Sequence, residues 1–142
     1  MIASRPYRVL LVEDDAADAL LIEEALEERG VAREVRRASD GVDALDQLHQ
    51  SSASDHPDLI VLDLNMPRMN GREFLAQVKA DPQLRAIPVV VLTTSEAPGD
   101  IAGAYQNYAN AYVRKPVDLD EFGAAVQRID TFFLDTAQPH RP

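Results

Sequence analysis

The sequence predicts an α/β protein built on a five-stranded parallel sheet with helices on both faces. Strand-like and helix-like segments alternate along the whole chain, which is the pattern of a doubly wound sheet. The strand-like segments are almost wholly apolar, as strands covered on both faces must be. The 142 residues allow one domain with a substantial core. We therefore expect a single domain over 1–142, with its core at about 7–135 and a polar tail over 136–142.

The strands are predicted from short apolar runs that end in polar residues. The first, third and fourth runs cover residues 10–12, 59–62 and 89–92, and a shorter fifth run covers residues 111–113. Val35 marks the second strand, whose polar neighbours suit the edge of a sheet.

Helices are predicted where apolar residues recur at intervals of three or four. In chain order, these residues are Ala19, Ile22 and Leu26; Val42, Leu45 and Leu48; Phe74, Leu75 and Val78; Ile101, Ala104 and Tyr105; and Leu119, Phe122, Val126, Ile129 and Phe133. The fifth helix is the longest, over about 118–135, and its five apolar residues form one stripe for the core. Phe132 and Phe133 point about 100° apart on a helix, so we expect one of them to meet solvent or a partner.

Composition excludes several classes of function. The formal charge of -10 repels nucleic acid and anionic membranes, and the absence of cysteine rules out disulfides and thiolate chemistry. The three histidines lack the spacing of a metal site, and we expect them on the surface. Because no apolar stretch is long enough for a signal peptide or a membrane span, we expect a cytoplasmic protein.

Acidic residues follow the first and third strands. Glu13 and Asp14 come after the first strand, and Asp63 comes after the third. Five units of this kind commonly adopt the strand order 2-1-3-4-5, which makes the first and third strands neighbours and brings these acids together. Clustered carboxylates repel one another, so they predict a divalent cation, with Mg²⁺ preferred and Mn²⁺ as its substitute.

An aspartate beside Mg²⁺ is suited to attack phosphorus and form an acyl phosphate. The fourth and fifth strands end in groups that would complete such a site. The Thr93 hydroxyl could donate to one phosphoryl oxygen, and the Lys115 ammonium could pair with another.

The predicted strand ends carry, in chain order, Glu13 and Asp14, Asp63, Thr93, and Lys115 followed by Pro116. This arrangement resembles the receiver domain of bacterial two-component response regulators. The resemblance covers residues 8–133 and includes the loop from Asp63 to Gly71. It implies a flavodoxin-like fold with the order 2-1-3-4-5. It also implies that Asp63 accepts a phosphoryl group from a histidine kinase, while Asp14 and Asp63 bind Mg²⁺ directly and Glu13 helps to hold it.

The resemblance implies further roles. The backbone carbonyl of Asn65 would complete the metal site, and Thr93 and Tyr112 would move together as a switch when Asp63 is phosphorylated. The bond between Lys115 and Pro116 would be cis, which only an X–Pro bond adopts at low cost.

The segment 106–111 lacks the alanine-glycine turn common in the family, and Phe132 and Phe133 form an aromatic C-terminal extension. Both features resemble the small stand-alone regulators that pair with phytochrome-like histidine kinases. We expect signalling through contacts with a downstream protein, because few residues follow the fifth helix. We also expect a homodimer, whose candidate interface residues are Tyr105, Tyr108, Phe132 and Phe133.

Other interpretations remain open at this level. Asp14 or Asp15 could cap a helix, and Asp63 could begin an Asx-turn. An aspartyl phosphatase would need an acid at position 65, where the chain has Asn65. A flavin carrier would need glycine or hydroxyl residues in place of Glu13 to Asp15. A receiver used only as a binding module is the remaining alternative.

Overall fold

Five strands alternate with five α-helices in the part of the chain that the structure describes. This computed structural model describes residues 7–28, 33–64, 66, 69–94 and 98–136. The strands are β1 (Tyr7–Val12), β2 (Arg33–Ala38), β3 (Leu59–Leu62), β4 (Val89–Thr93) and β5 (Ala111–Arg114). The helices are α1 (Ala16–Glu27), α2 (Gly41–Gln50), α3 (Gly71–Ala80), α4 (Pro98–Gln106) and α5 (Leu119–Asp130).

The strands form one parallel sheet in the order β2-β1-β3-β4-β5, which confirms the predicted fold class. β1 pairs with both β2 and β3, so Leu10 lies between Arg36 and Ile60. The ladder continues one residue past the strands: the Glu13 N–H donates to the Ala38 carbonyl, and the Asp63 N–H donates to the Val12 carbonyl, both at 3.0 Å. The acidic residues that follow β1 and β3 therefore lie side by side.

Alternate residues of each central strand enter different apolar clusters. Leu10 and Val12 pack on the side of α2, α3 and α4, whereas Val9 and Leu11 pack on the side of α1 and α5. Both faces are thus covered, which explains why the central strands read as continuous apolar runs. None of the described helices has the length and apolar character needed to cross a membrane.

Side chains cap most of the helices at their start. Asp15 accepts hydrogen bonds from the N–H groups of Ala17 and Asp18 and so begins α1. Asp40 and Asp118 cap α2 and α5, and Asn70 forms a reciprocal capping box with α3. Each such cap is worth about 0.5–2 kcal/mol. The capping role falls to Asp15, which leaves Asp14 available for the predicted acidic site.

The fifth helix differs from the prediction at both ends. Leu119 is 65% exposed, because it occupies the first turn of α5, next to the cap, beyond the part of the helix that covers the sheet. α-Helical geometry ends at Asp130 and a π-helical turn, Thr131–Thr136, follows. This turn separates Phe133, which packs against the core, from Phe132, which is 52% exposed. Residues 137–142 of the predicted tail lie outside the described part of the chain.

Two further expectations are wrong. His56 is buried, because its Nε2 atom lies 3.1 Å from the Leu48 carbonyl and so finds a partner inside the protein. The bond between Lys115 and Pro116 is trans. Proline lowers the preference for trans to about 0.5–1 kcal/mol but does not reverse it, so the surrounding chain decides the isomer.

Candidate functional site

The predicted acids meet at the carboxyl ends of β1 and β3. Glu13, Asp14 and Asp63 each offer a carboxylate oxygen, and these oxygens lie within 4.8 Å of one another. Glu13 and Asp63 are buried, whereas Asp14 is exposed. The three side chains therefore form a cluster with one open side.

Lys115 supplies the cation of this cluster from the end of β5. Its Nζ atom lies 2.5 Å from Glu13 Oε1, 2.9 Å from Asp18 Oδ2 and 3.6 Å from Asp63 Oδ2. A backbone hydrogen bond of 2.7 Å from the Lys115 N–H to the Thr93 carbonyl fixes the start of this side chain. One ammonium thus faces three carboxylates, which leaves the site with excess negative charge.

Burial and neighbouring charges shift the pKa values of Glu13 and Lys115. Burial raises the pKa of Glu13 to about 8, and the charge of Asp63 adds to the rise, although the hydrogen bond from Lys115 opposes it. Burial alone would lower the pKa of Lys115, but its hydrogen bonds to Glu13 and Asp18 more than reverse that effect. Lys115 therefore remains the ammonium beside Glu13.

The donor set of the cluster suits a hard divalent cation. Carboxylate oxygens are the ligands that Mg²⁺ and Mn²⁺ prefer, and the cluster has more negative charge than Lys115 can neutralise. Both Glu13 oxygens already accept hydrogen bonds, from Lys115 and from the Asp15 N–H. Asp14 has the more accessible carboxylate. Asn65, the remaining predicted ligand, lies outside the described residues.

Thr93 and Tyr112 occupy the neighbouring strands. Thr93 is fully buried at the end of β4, and its hydroxyl has no hydrogen-bond partner among the described residues. A buried hydroxyl without a partner is costly, so a ligand that accepted a hydrogen bond from it would be favoured. Tyr112 is half-buried against the apolar cluster on the α2–α4 side, and its backbone N–H donates to the Tyr105 hydroxyl at 3.2 Å.

Sequence reasoning missed two residues of this site. Asp18 lies four positions after Asp14, and this helical spacing could have placed it near the cluster. Arg37, near the end of β2, donates from Nε to the Glu13 carbonyl and from Nη2 to the Asp14 carbonyl, both at 3.0 Å. Arg37 thereby holds the backbone of the acidic pair while their carboxylates stay free for other contacts. The feature of the sequence that could have identified Arg37 is a basic residue near the end of β2, the strand that pairs with β1.

Comparison with known proteins agrees with this geometry. The family described as "Response regulator receiver domain" matches residues 9–127. The response regulator Rcp1 of Synechocystis sp. is 41% identical over 134 residues, which cover 92% of this chain and 91% of Rcp1.

Solved structures give the same result. The phosphorylated cyanobacterial phytochrome response regulator RcpA superimposes with a TM-score of 0.90 at 43% identity, covering 95% of this chain and 99% of RcpA. The Mn²⁺-bound form of Rcp1 gives a TM-score of 0.89 at 40% identity, with the same coverage of 95% and 99%. The sheet order, the acidic cluster and these matches together establish that the chain belongs to the response regulator receiver family.

Proposed function

We propose that Asp63 is the phosphoacceptor of this receiver domain. The observation that carries this proposal is the position of its carboxylate, beside Asp14 and Glu13 on one side and 3.6 Å from Lys115 on the other. A metal at the cluster would neutralise the phosphoryl oxygens as they approach. An Asp63 oxygen attacks phosphorus, a new P–O bond forms, and the bond to the donor histidine breaks, leaving its electron pair on the imidazole.

The neighbouring side chains have defined roles in this proposal. Asp14 and Asp63 bind Mg²⁺ directly, Glu13 adds charge and holds Lys115, and the Asn65 backbone carbonyl is a further ligand. Lys115 binds one phosphoryl oxygen, and the Thr93 hydroxyl, which has no partner among the described residues, binds another. Thr93 then moves with Tyr112, and the change reaches α4 and β5. Loss of the phosphoryl group to water, catalysed by the same site, resets the protein.

We propose a histidine kinase as the phosphoryl donor, and one of the phytochrome-like class. The phytochrome link is supported by the similarity to RcpA, a phytochrome response regulator, over 95% of the chain. The signal would pass to a downstream protein in the cytoplasm.

Incubation with Mg²⁺ and acetyl phosphate, followed by intact-mass measurement, tests the phosphoacceptor. The parent should gain one phosphoryl group, and Asp63→Asn should gain none. Asp15→Asn is the matched control, because it removes a neighbouring charge while asparagine still caps α1. Stoichiometric labelling of Asp63→Asn would overturn the assignment.

We further propose that two copies associate through the α4–β5–α5 face. Tyr105, Tyr108 and Phe132 are 50%, 74% and 52% exposed there, and Phe132 contacts Phe133 edge to face. Phe132 and Phe133 also line an apolar groove beside the exposed edge of β5. Aromatic side chains are enriched at the centre of interfaces, so these rings suit a symmetric contact.

Sedimentation at micromolar concentration tests this association, with and without beryllofluoride. The parent should sediment as a dimer under at least one condition, and the double variant Tyr108→Gly, Phe132→Ala should not. Leu20→Ser removes an equally exposed apolar side chain from α1 and should leave the dimer intact. A parent that remains monomeric under both conditions would exclude the dimer.

A further inference from the structure

Lys115 is held by a carboxylate that lies outside the cluster of candidate metal ligands. Its Nζ atom donates to Asp18 Oδ2 at 2.9 Å, whereas the nearer Asp63 oxygen is 3.6 Å away. Asp18 belongs to the first turn of α1, where Asp15 accepts a hydrogen bond from its N–H. The helix start therefore fixes Asp18 beside Lys115.

A lysine ammonium has three N–H donors. Glu13 and Asp18 take two of them, and the distance to Asp63 is too long for a hydrogen bond. Charge-assisted hydrogen bonds are about twice as strong as neutral ones, so Asp18 competes for Lys115 with any anionic group at Asp63. A cation held at the cluster of Glu13, Asp14 and Asp63 would not neutralise this competitor, since Asp18 is not part of that cluster.

We propose that Asp18 is a positioning residue that holds Lys115 back from Asp63 and so weakens the pairing of Lys115 with a phosphoryl group there. The inference rests on the proposed function of Asp63 as phosphoacceptor. Asp18 acts only through Lys115, because its carboxylate contacts Lys115 and is not part of the cluster of Glu13, Asp14 and Asp63. The strength of its hydrogen bond sets how far the phosphorylated state is stabilised.

The test is the affinity for beryllofluoride, an acyl-phosphate mimic, at saturating Mg²⁺. Asp18→Asn should bind beryllofluoride about three- to tenfold more tightly, because a neutral amide competes less strongly for Lys115 than a carboxylate does. Asp18→Glu restores the charge and should return the affinity toward that of the parent.

Asp15→Asn provides the matched control for charge. It removes one negative charge from the same helix start. Among the described residues, the Asp15 side chain accepts hydrogen bonds from the N–H groups of Ala17 and Asp18, and none from Lys115. Its affinity for beryllofluoride should stay within twofold of the parent. An equal gain in Asp15→Asn would mean that overall charge is responsible, and an unchanged or weaker affinity in Asp18→Asn would also overturn the proposal.

The control with the parent separates this inference from the proposed function. If the parent neither binds beryllofluoride nor accepts phosphate from acetyl phosphate, the phosphoacceptor assignment fails. If the parent does both and Asp18→Asn behaves like it, only the role of Asp18 fails.

Discussion

The backbone of Gly71 lies directly against the backbone of Asp63. A Cβ atom on Gly71 would overlap the Asp63 carbonyl oxygen and would lie 2.6 Å from the Leu64 Cα. The Gly71 N–H also donates to the Leu64 carbonyl at 3.0 Å. The neighbours are backbone atoms, which cannot rotate away as the end of a side chain can. The first residue of α3 therefore fixes the path of the chain just after the proposed phosphoacceptor.

Gly71→Ala should lower the free energy of unfolding by about 1–3 kcal/mol, the usual cost of forcing extra atoms into a packed region. It should also weaken Mg²⁺ binding, because Asp63 must shift to make room. Urea unfolding and a Mg²⁺ titration measure the two effects. Gly103→Ala, on α4, adds a Cβ that meets no described atom within 4 Å outside the backbone of its own helix, and should instead gain about 0.5–1 kcal/mol. Equal effects of the two variants would contradict this explanation.

Mg²⁺ should raise the melting temperature, because it offsets the repulsion among Glu13, Asp14 and Asp63. At a hundredfold excess over its dissociation constant, the linkage contributes about 2.7 kcal/mol. The melting temperature of Asp14→Asn should respond far less. A parent whose melting temperature is unmoved by millimolar Mg²⁺ would exclude the metal site.

Without metal, Asp63→Asn should be at least as stable as the parent. The substitution removes one of the three carboxylates around Lys115 and so relieves the excess negative charge. Chelator-treated samples in urea give the comparison. A clear loss of stability would mean that the Asp63 carboxylate holds the loop through its hydrogen bonds.

The stability of the metal-free protein should depend on pH through Glu13. Its pKa is about 8 in the folded state against an ordinary value of 4.5, so the folded protein keeps a proton that the unfolded chain releases. This contribution to stability is fully present below about pH 4.5 and is lost as the pH rises through about 8. Glu13→Gln removes this titration. As the pH rises over that range, the free energy of unfolding of the parent should therefore fall relative to that of the variant. Parallel curves for the two proteins would contradict the raised pKa.

Tyr108→Gly should stabilise the protein by up to about 1 kcal/mol. Tyr108 has a φ of 66°, a left-handed conformation that costs a side chain with a Cβ about 1–2 kcal/mol, and glycine recovers most of this. Tyr108→Ala keeps the Cβ and should show no such gain. Thermal melting distinguishes them, and an equal response would show that the exposed ring, not the backbone, decides the effect.

The features that the sequence predicts correctly are those that depend on local pattern. Continuous apolar runs locate β3 and β4 because both faces of those strands are buried, and the acids at the strand ends follow from the parallel topology. The contact between Asp18 and Lys115 joins residues 97 positions apart and depends on how α1 crosses the sheet, which no local pattern encodes. The burial of His56 likewise depends on the position of its loop in the folded protein, and the exposure of Leu119 depends on the position of the first turn of α5.

The hydrogen bond from the Tyr112 N–H to the Tyr105 hydroxyl joins two of the three tyrosines that lie on the α4–β5 face. The sequence has four tyrosines and no tryptophan. Tyr105, Tyr108 and Tyr112 belong to α4, the turn after it and β5, whereas Tyr7 is buried on the opposite side of the sheet, among the residues that contact α1 and α5. The intrinsic ultraviolet emission of the unlabelled protein is therefore weighted toward the α4–β5 face. Rotation of Tyr112 or burial of Tyr108 by a partner would thus be followed as a change in tyrosine fluorescence, without a dye or a tag.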